Sequence, residues 1–251
     1  MIIYILLFIC GLVFGSFYMV VGLRRPLKQS IVKPPSHCEV CEHYLKWYEL
    51  IPVLSFIISK GKCRHCHNRI SFYYPLVELL SGFLFALAYY IFGFSYECLV
   101  MICLASLLII IFVSDFKYFV ILDGPLIIFS LLIILFIYLN SDLKVVGFKI
   151  MAGLILALFM VIVRLIGNKI FKRDSLGGGD IKLSFLIGLV LGVRLGFVAL
   201  IISSFIAFPY ALYVMNKKED EMPYGPFLIT ALIVCFIFQS EFLNLLDLLI
   251  I

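Results

Sequence analysis

Apolar residues run along this chain in long blocks, and the polar residues gather in the shorter segments between them. A helix that crosses a bilayer needs roughly 20 apolar residues, with a range of about 17–25. Eight blocks meet or approach that length, at about 2–22, 74–93, 97–114, 124–140, 146–166, 183–193, 195–214 and 225–240. The sixth is short, and its separation from the seventh rests on Gly192-Val193-Arg194. The pattern predicts an all-α polytopic membrane protein with about eight transmembrane helices. Only the polar segment 24–73 is large enough to form a domain outside the bilayer. The expected organisation is a first transmembrane helix at 1–23, a loop domain at 24–73 and a membrane domain at 74–251.

Composition agrees: 64% of the residues are hydrophobic, against about 45–50% in soluble domains, and the mean hydropathy is +1.17. Charge adds an orientation. With the N-terminus outside, the segments 23–73, 115–123, 167–182 and 215–224, with Arg164 at a span end, face inward and hold 17 of the 20 Lys and Arg residues. Only Lys144, Lys149 and Arg194 fall outside. Such an asymmetry is the positive-inside pattern. The net charge of +5 therefore reports orientation and does not mark a nucleic-acid-binding protein. The first block has no basic residue before it, Arg24-Arg25 after it, and no small-x-small cleavage site. It reads as an anchor that stays, not as a removed signal peptide. No internal repeat or flexible Gly/Ser linker is evident.

About 50 residues make a poor hydrophobic core, and small units usually need a staple. Segment 24–73 supplies one: Cys38-x-x-Cys41 and Cys63-x-x-Cys66, with 21 residues between the pairs. Each pair suits one knuckle of a four-thiolate zinc site. An inward-facing loop keeps its thiols reduced, which disfavours disulfides and leaves free or redox thiols as the other reading. Four protein ligands leave no open position on the metal, so a zinc here is structural. His37, His43, His65 and His67 lie nearby and could each replace a cysteine, but read better as solvated or as partners of the ligands. Cys10, Cys98, Cys103 and Cys235 lie in or beside apolar blocks and read as small buried hydrophobes.

Two aspartates carry the candidate chemistry. Asp115 closes the block 101–114, and Asp180 follows Gly177-Gly178-Gly179 and opens the block 183–191. A carboxylate facing lipid at the centre of a span costs on the order of 2.5–3.5 kcal/mol, so such residues face protein, water or a reaction. Between them the chain crosses the membrane twice, which places both at the inward face. Two neighbouring carboxylates do not both ionise easily, so the pair can hold one proton and split the roles of base and acid on water. The glycines permit unusual backbone angles and close approach of a substrate strand. The plain alternatives are a helix-end position for Asp115 and an N-cap for Asp180. Asp123 reads as an N-cap, and Lys117 and Lys182 as orientation charges.

These residues, taken in order, resemble the type 4 prepilin peptidase family, also called leader peptidase/N-methyltransferase. The resemblance is carried by Gly15-Ser16-Phe17 with Arg24-Arg25-Pro26, by the two cysteine pairs with Pro52-Val53-Leu54-Ser55 and Ile70-Ser71, and by Tyr74-Pro75-Leu76-Val77-Glu78-Leu79-Leu80. It continues through Asp115 with Ile121-Leu122-Asp123, Gly177-Gly178-Gly179-Asp180-x-Lys182 and Pro223-Tyr224-Gly225-Pro226-Phe227. The match spans about residues 11–230. It departs at Leu122, where the family usually has proline, and at Glu39, where the first knuckle usually has Cys-Pro. The resemblance implies a multi-pass aspartyl endopeptidase of a bacterial cytoplasmic membrane, with the N-terminus outside. Asp115 and Asp180 would be its catalytic pair at the cytoplasmic face, and Gly177 to Gly179 would position substrate. Its partners would be prepilins or pseudopilins, whose basic leader it removes after a glycine, and the lipid bilayer. It also implies methylation of the new N-terminal amine with S-adenosylmethionine, associated with the large loop. Glu78 is the carboxylate to test for that activity, its alternative being an ordinary helix-start residue.

Acids near the site, Asp174 and Glu219-Asp220-Glu221, are candidates for attracting a basic leader, although the second group also reads as a solvated loop. Two other functions compete. A presenilin-like intramembrane protease also uses a G-x-G-D aspartate but has no reason to carry four cysteines. A non-enzymatic zinc-stapled scaffold or transporter subunit would use the aspartates to bind ions or protons.

Overall fold

A computed structural model describes residues 1–172, 174, 176–217 and 221–250. Among them the chain is helical, as the apolar blocks predict, and extended pairing is confined to isolated bridges at His37 with Tyr44 and Lys62 with Arg69. The helices are α1 (Ile2–Arg24), α2 (Leu54–Ile58), α3 (Tyr73–Phe92), α4 (Tyr96–Tyr118), α5 (Asp123–Asn140), α6 (Leu143–Phe171), α7 (Gly178–Lys217), α8 (Gly225–Ile237) and α9 (Gln239–Ile250). They form two compact units, Met1–Val113 and Ser114–Ile251, and the boundary falls inside α4.

In the first unit α1 packs against α3 through small residues. A Cβ on Gly11 would lie 2.7 Å from the Gly82 Cα and the Ser81 carbonyl oxygen, and one on Gly15 would lie 2.7 Å from the Ser81 Cβ. Gly11 and Gly15 share one helix face at the small-xxx-small spacing that lets membrane helices approach closely where lipid offers no hydrophobic drive. Tyr18, one turn on, donates its hydroxyl to Ser106 of α4 at 2.9 Å. Gly11→Val meets backbone atoms that cannot step aside, so a loss of about 1–3 kcal/mol is expected. Thermal unfolding in detergent measures it, and an unchanged midpoint would show that this seam does not hold the helices.

In the second unit α7 packs on α6 and α8. Its 40 residues would extend about 60 Å, twice the hydrocarbon thickness. The helix breaks at Gly192, which adopts φ 79°, ψ −178°, a conformation open to glycine and hardly to other residues. Six described helices are long and apolar enough to span, and seven if α8 and α9, bent by 82°, make one. The expected eight therefore requires α7 to be two spans divided at Gly192, as the sequence pattern suggested.

The same break accounts for two of the three basic residues that depart from the charge asymmetry, Lys149 and Arg194. Lys149 Nζ of α6 donates to the Val190 carbonyl at 2.7 Å, in the turn that loses its helical partners at Gly192. Arg194, just past the break, pairs with Asp247 of α9 at 3.5 Å. Among the scattered cysteines Cys98, Cys103 and Cys235 are buried as expected, whereas Cys10 is exposed on the outer surface of α1, where an apolar thiol suits lipid as well as a core.

Candidate functional site

Asp115 lies in the last turn of α4, the end at which a helix dipole disfavours an anion. A second helix compensates. Pro226 fixes the first turn of α8, and the amide at the start of that helix, Gly225 N–H, donates to Asp115 Oδ2 at 3.0 Å. Asp115 is 5% exposed, so this donor replaces water. Past Asp115 the helix ends at Phe119, whose N–H bonds the Asp115 carbonyl at 2.9 Å with a left-handed φ of 54°. That turn sends residues 120–122 toward α7.

Asp180 is not an N-cap. Helix α7 begins at Gly178, so Asp180 stands in its first turn, 7% exposed. The Gly177 backbone hydrogen-bonds its carboxylate, and the Asp115 charge acts on it directly. The preceding glycines differ in what they do. A Cβ on Gly177 would lie 3.0 Å from Asp180 Oδ2, and one on Gly179 would lie 2.7 Å from the Ile121 Cβ. A Cβ on Gly178 would meet nothing closer than an Arg164 nitrogen at 3.8 Å. Gly177 thus leaves room for the carboxylate, and Gly179 lets the loop after Asp115 rest on the α7 terminus.

Asp123, expected as an N-cap, is instead the first residue of α5 and makes no cap bond. Its Oδ1 accepts from Lys182 Nζ at 2.6 Å, so the two residues flanking the aspartate pair join α5 to α7. Tyr224 shares hydrogen bonds with Ser203 at 2.7 Å and Ser204 at 3.2 Å, fixing the approach to Gly225. Phe116, Tyr210 and Phe227 form an aromatic cluster with centroids 5.6 to 6.4 Å apart, beside Asp115 in sequence. Asp174 is paired with Arg164 at 3.5 Å and Asn168 at 3.1 Å, which blunts it as an attractor for a basic segment. Glu219 and Asp220 lie outside the described residues. The contribution of Gly225 was missed from sequence, and the signal for it was the Gly-Pro start of an apolar block.

The four cysteines converge within the first unit. Their sulfurs all lie within 4.8 Å of one another, with Cys38 to Cys66 at 3.8 Å and Cys41 to Cys63 at 3.9 Å. A tetrahedral metal with sulfur ligands at about 2.3 Å places them about 3.8 Å apart, so the four can hold one metal ion. The two knuckles repeat each other. Cys38 N–H donates to His43 O at 3.0 Å and Cys63 N–H to Asn68 O at 2.8 Å, while Glu42 and His67 take matching left-handed φ values of 56° and 57°. Backbone hydrogen bonds from Cys41 and Val40 hold the Cys38 thiol down to about 7. At Cys41 the His43 backbone favours the thiolate, yet burial and the other three sulfurs push the thiol up to about 12. A divalent ion held by the four sulfurs would supply the charge that lets all of them ionise. The four nearby histidines are outside this ligand group; His43 stacks on His65 at 5.1 Å.

Glu78 is not an exposed helix-start residue. It is 8% exposed on α3 and accepts from Val53 N–H at 2.8 Å. It belongs to the first unit, with the cysteines.

Residues 9–92 match the bacterial peptidase A24 N-terminal domain, and residues 102–212 match the type IV leader peptidase family. A prepilin leader peptidase/N-methyltransferase of Bacillus subtilis is 37% identical over 95% of this chain and 96% of its own length. One from Vibrio cholerae is 32% identical over 93% of this chain and 96% of its own. One from Myxococcus xanthus is 38% identical over 76% of this chain and 56% of its own. No solved structure matches. Full-length similarity at this level, on top of two family matches that together cover both cysteine knuckles and both buried aspartates, means that the chain belongs to the type IV leader peptidase family.

Proposed function

We propose that this protein is an aspartyl endopeptidase of the bacterial cytoplasmic membrane, N-terminus outside, that removes the leader of type IV prepilins or pseudopilins at the cytoplasmic face and methylates the new N-terminal residue. The carrying observation is the pair of buried carboxylates, Asp115 and Asp180, on different helices, each held by a backbone hydrogen bond. The domain assignment is 1–23 as anchor, 24–73 as the loop domain linked to methylation and 74–251 as the peptidase.

The chemistry follows from one shared proton. One carboxylate takes a proton from water as the oxygen adds to the scissile carbonyl, and the other carboxyl donates its proton to the carbonyl oxygen. On collapse the C–N bond breaks and the leaving amine takes a proton back from the pair. The Gly225 and Gly177 backbone bonds keep both carboxylates oriented throughout. Gly177 leaves room for the Asp180 carboxylate and Gly179 for Ile121, and the leader–helix junction lies extended beside Asp180. Zinc on Cys38, Cys41, Cys63 and Cys66 staples the loop and has no open position for catalysis. S-adenosylmethionine supplies the methyl group, and Glu78 is the carboxylate assigned to that activity.

The glycines separate this reading from a generic turn. Gly179→Ala forces Ile121 away from the α7 terminus and is expected to reduce cleavage by about 10²-fold, since a misplacement of about 1 Å in reacting groups costs that much. Gly178→Ala has open space and is expected to stay within about twofold. Initial rates on a purified prepilin decide it, and equal effects at both positions would contradict the geometry. Mapping the cut by mass spectrometry tests the function itself. A cut at the edge of the apolar helix, after the leader glycine, is expected, and a cut deep inside that helix would favour a presenilin-like protease.

A further inference from the structure

The loop between α1 and α3 carries an apolar face that no described part of the chain covers. Between Lys46 and Lys60 the only charged residue is Glu49. Its side chain is turned inward, 9% exposed, and accepts the Lys46 amide at 2.9 Å. The apolar residues turn the other way: Trp47, Leu54, Ile57 and Ile58 are all more than half exposed. So is Phe72, whose ring lies 6.0 Å from that of Phe56. The backbone of this segment looks after itself. The Leu50, Ser55 and Ile57 amides bond the Trp47, Ile51 and Val53 carbonyls, and the Val53 amide bonds the Glu78 carboxylate of α3 at 2.8 Å. To reach Glu78, Val53 takes a left-handed φ of 61°, a strained conformation for a β-branched residue. Strain of this kind has no purpose where water can serve the amide, and it has one where water is scarce.

Helix α1 identifies what covers the face. Its Val13, Phe17 and Val20 form one wall of an open cleft of about 450 Å³, and Trp47, Ile51 and Pro52 stand on the other. The helix is long and apolar enough to span the membrane, and Val13 and Phe17 are exposed on it. Val13 and Val20 precede Arg24 by about 16 and 6 Å along the helix at 1.5 Å per residue. A basic residue closing a span marks the headgroup level, so the cleft lies on the acyl-chain side of that level. We propose that segment 47–58 is an interfacial membrane anchor, seated at the headgroup–acyl boundary with Trp47, Leu54 and Ile58 against lipid and continuous with the lipid-facing side of α1. Lys46 and Lys60 bracket the segment and, with Lys62 and Arg64, are exposed. Such side chains lay their stems along an interface and keep their charges at the lipid phosphates. The loop domain then stands in the membrane surface and not clear of it. The inference goes beyond the proposed function and rests only on α1 spanning the bilayer.

Trp47 is the only tryptophan of the chain, so its fluorescence reports this segment alone. The test uses the full-length, metal-loaded protein, one copy per nanodisc of phosphatidylcholine and phosphatidylglycerol. Bromine on the acyl chains quenches a ring in contact with lipid, and acrylamide quenches one in water. Chains brominated near the headgroup are expected to quench Trp47 at least about twofold more than chains brominated near their ends, as for a ring buried about 5–10 Å deep. Acrylamide should quench it weakly. Leu54→Glu combined with Ile58→Glu charges one face of α2 and should open Trp47 to acrylamide at unchanged metal content, because a carboxylate is unfavourable among acyl chains. If that variant loses its metal, the quenching of the wild-type protein decides alone. A Trp47 open to acrylamide and insensitive to bromine at either depth would overturn the proposal. Shielding that arises only when a purified prepilin is added gives the face to the substrate, and shielding that needs two copies per disc gives it to a second molecule; either overturns the lipid contact. Leader cleavage, measured separately, stands or falls without regard to these results.

Discussion

Asp180→Asn is expected to lower leader cleavage by about 10³–10⁴-fold, the upper range for removing one member of an acid–base pair, with the protein still folded. Asparagine keeps the shape of the side chain and an acceptor for the Gly177 backbone bond, so the α7 terminus has no reason to move. Asp115→Asn keeps an acceptor for Gly225 N–H in the same way. What each loses is the capacity to exchange a proton. The double variant should be little worse than either single one, because groups that act as a unit are not additive. Asparagine also discriminates against the plain structural reading. It has the shape of aspartate and accepts the same Gly177 backbone bond, so a purely structural Asp180 predicts near-normal cleavage. Rates on a purified prepilin, with helicity by circular dichroism as the control, decide between them.

Stripping the metal from the cysteine cluster is expected to unfold the loop and leave the membrane helices standing. The segment 24–73 buries almost no large apolar side chain: Trp47, Val40, Leu54, Ile57 and Ile58 are all more than half exposed, and Cys63 is its one buried hydrophobic residue. Structural zinc sites contribute about 10–16 kcal/mol of binding energy that is also folding energy, and nothing else in this segment is of that size. Hydrogen exchange after chelation should show protection lost at the amides of Cys38, Cys63 and Ile70, which now bond His43, Asn68 and Gly61. Protection across α1 and α3, whose backbones bond internally, should persist. Zinc should restore the loop, and Cys63→Ser should mimic chelation. Unchanged exchange in metal-free protein would show that the loop folds without its staple.

Much of this was legible in the residues because membrane physics constrains them severely. Apolar runs have to be helices in lipid, so α1, α3, α4, α5 and α6 follow from the pattern directly. The convergence of four cysteines follows from paired spacing, and topology places Asp115 and Asp180 on one side before any geometry is seen. Tertiary contact decided the rest. Asp123 has the chemistry of an N-cap, and only the approach of Lys182 makes it an ion-pair partner. Lys149 looked like an exception to the charge rule until the break at Gly192 exposed a carbonyl for it. Equivalent-looking glycines proved unequal, since only Ile121 distinguishes Gly179 from Gly178. The repeat of the two knuckles lies in backbone angles at Glu42 and His67, residues with nothing in common chemically.

In the reaction we propose, Asp115 and Asp180 cut the leader. Its most direct test is intact-mass spectrometry of a purified prepilin after incubation with the wild-type protein, with Asp115→Asn and with Asp180→Asn, each with S-adenosylmethionine present. A product shortened by the leader, and heavier by one methyl group, is expected with wild type alone. Cleavage at the wild-type rate by either asparagine variant would contradict it.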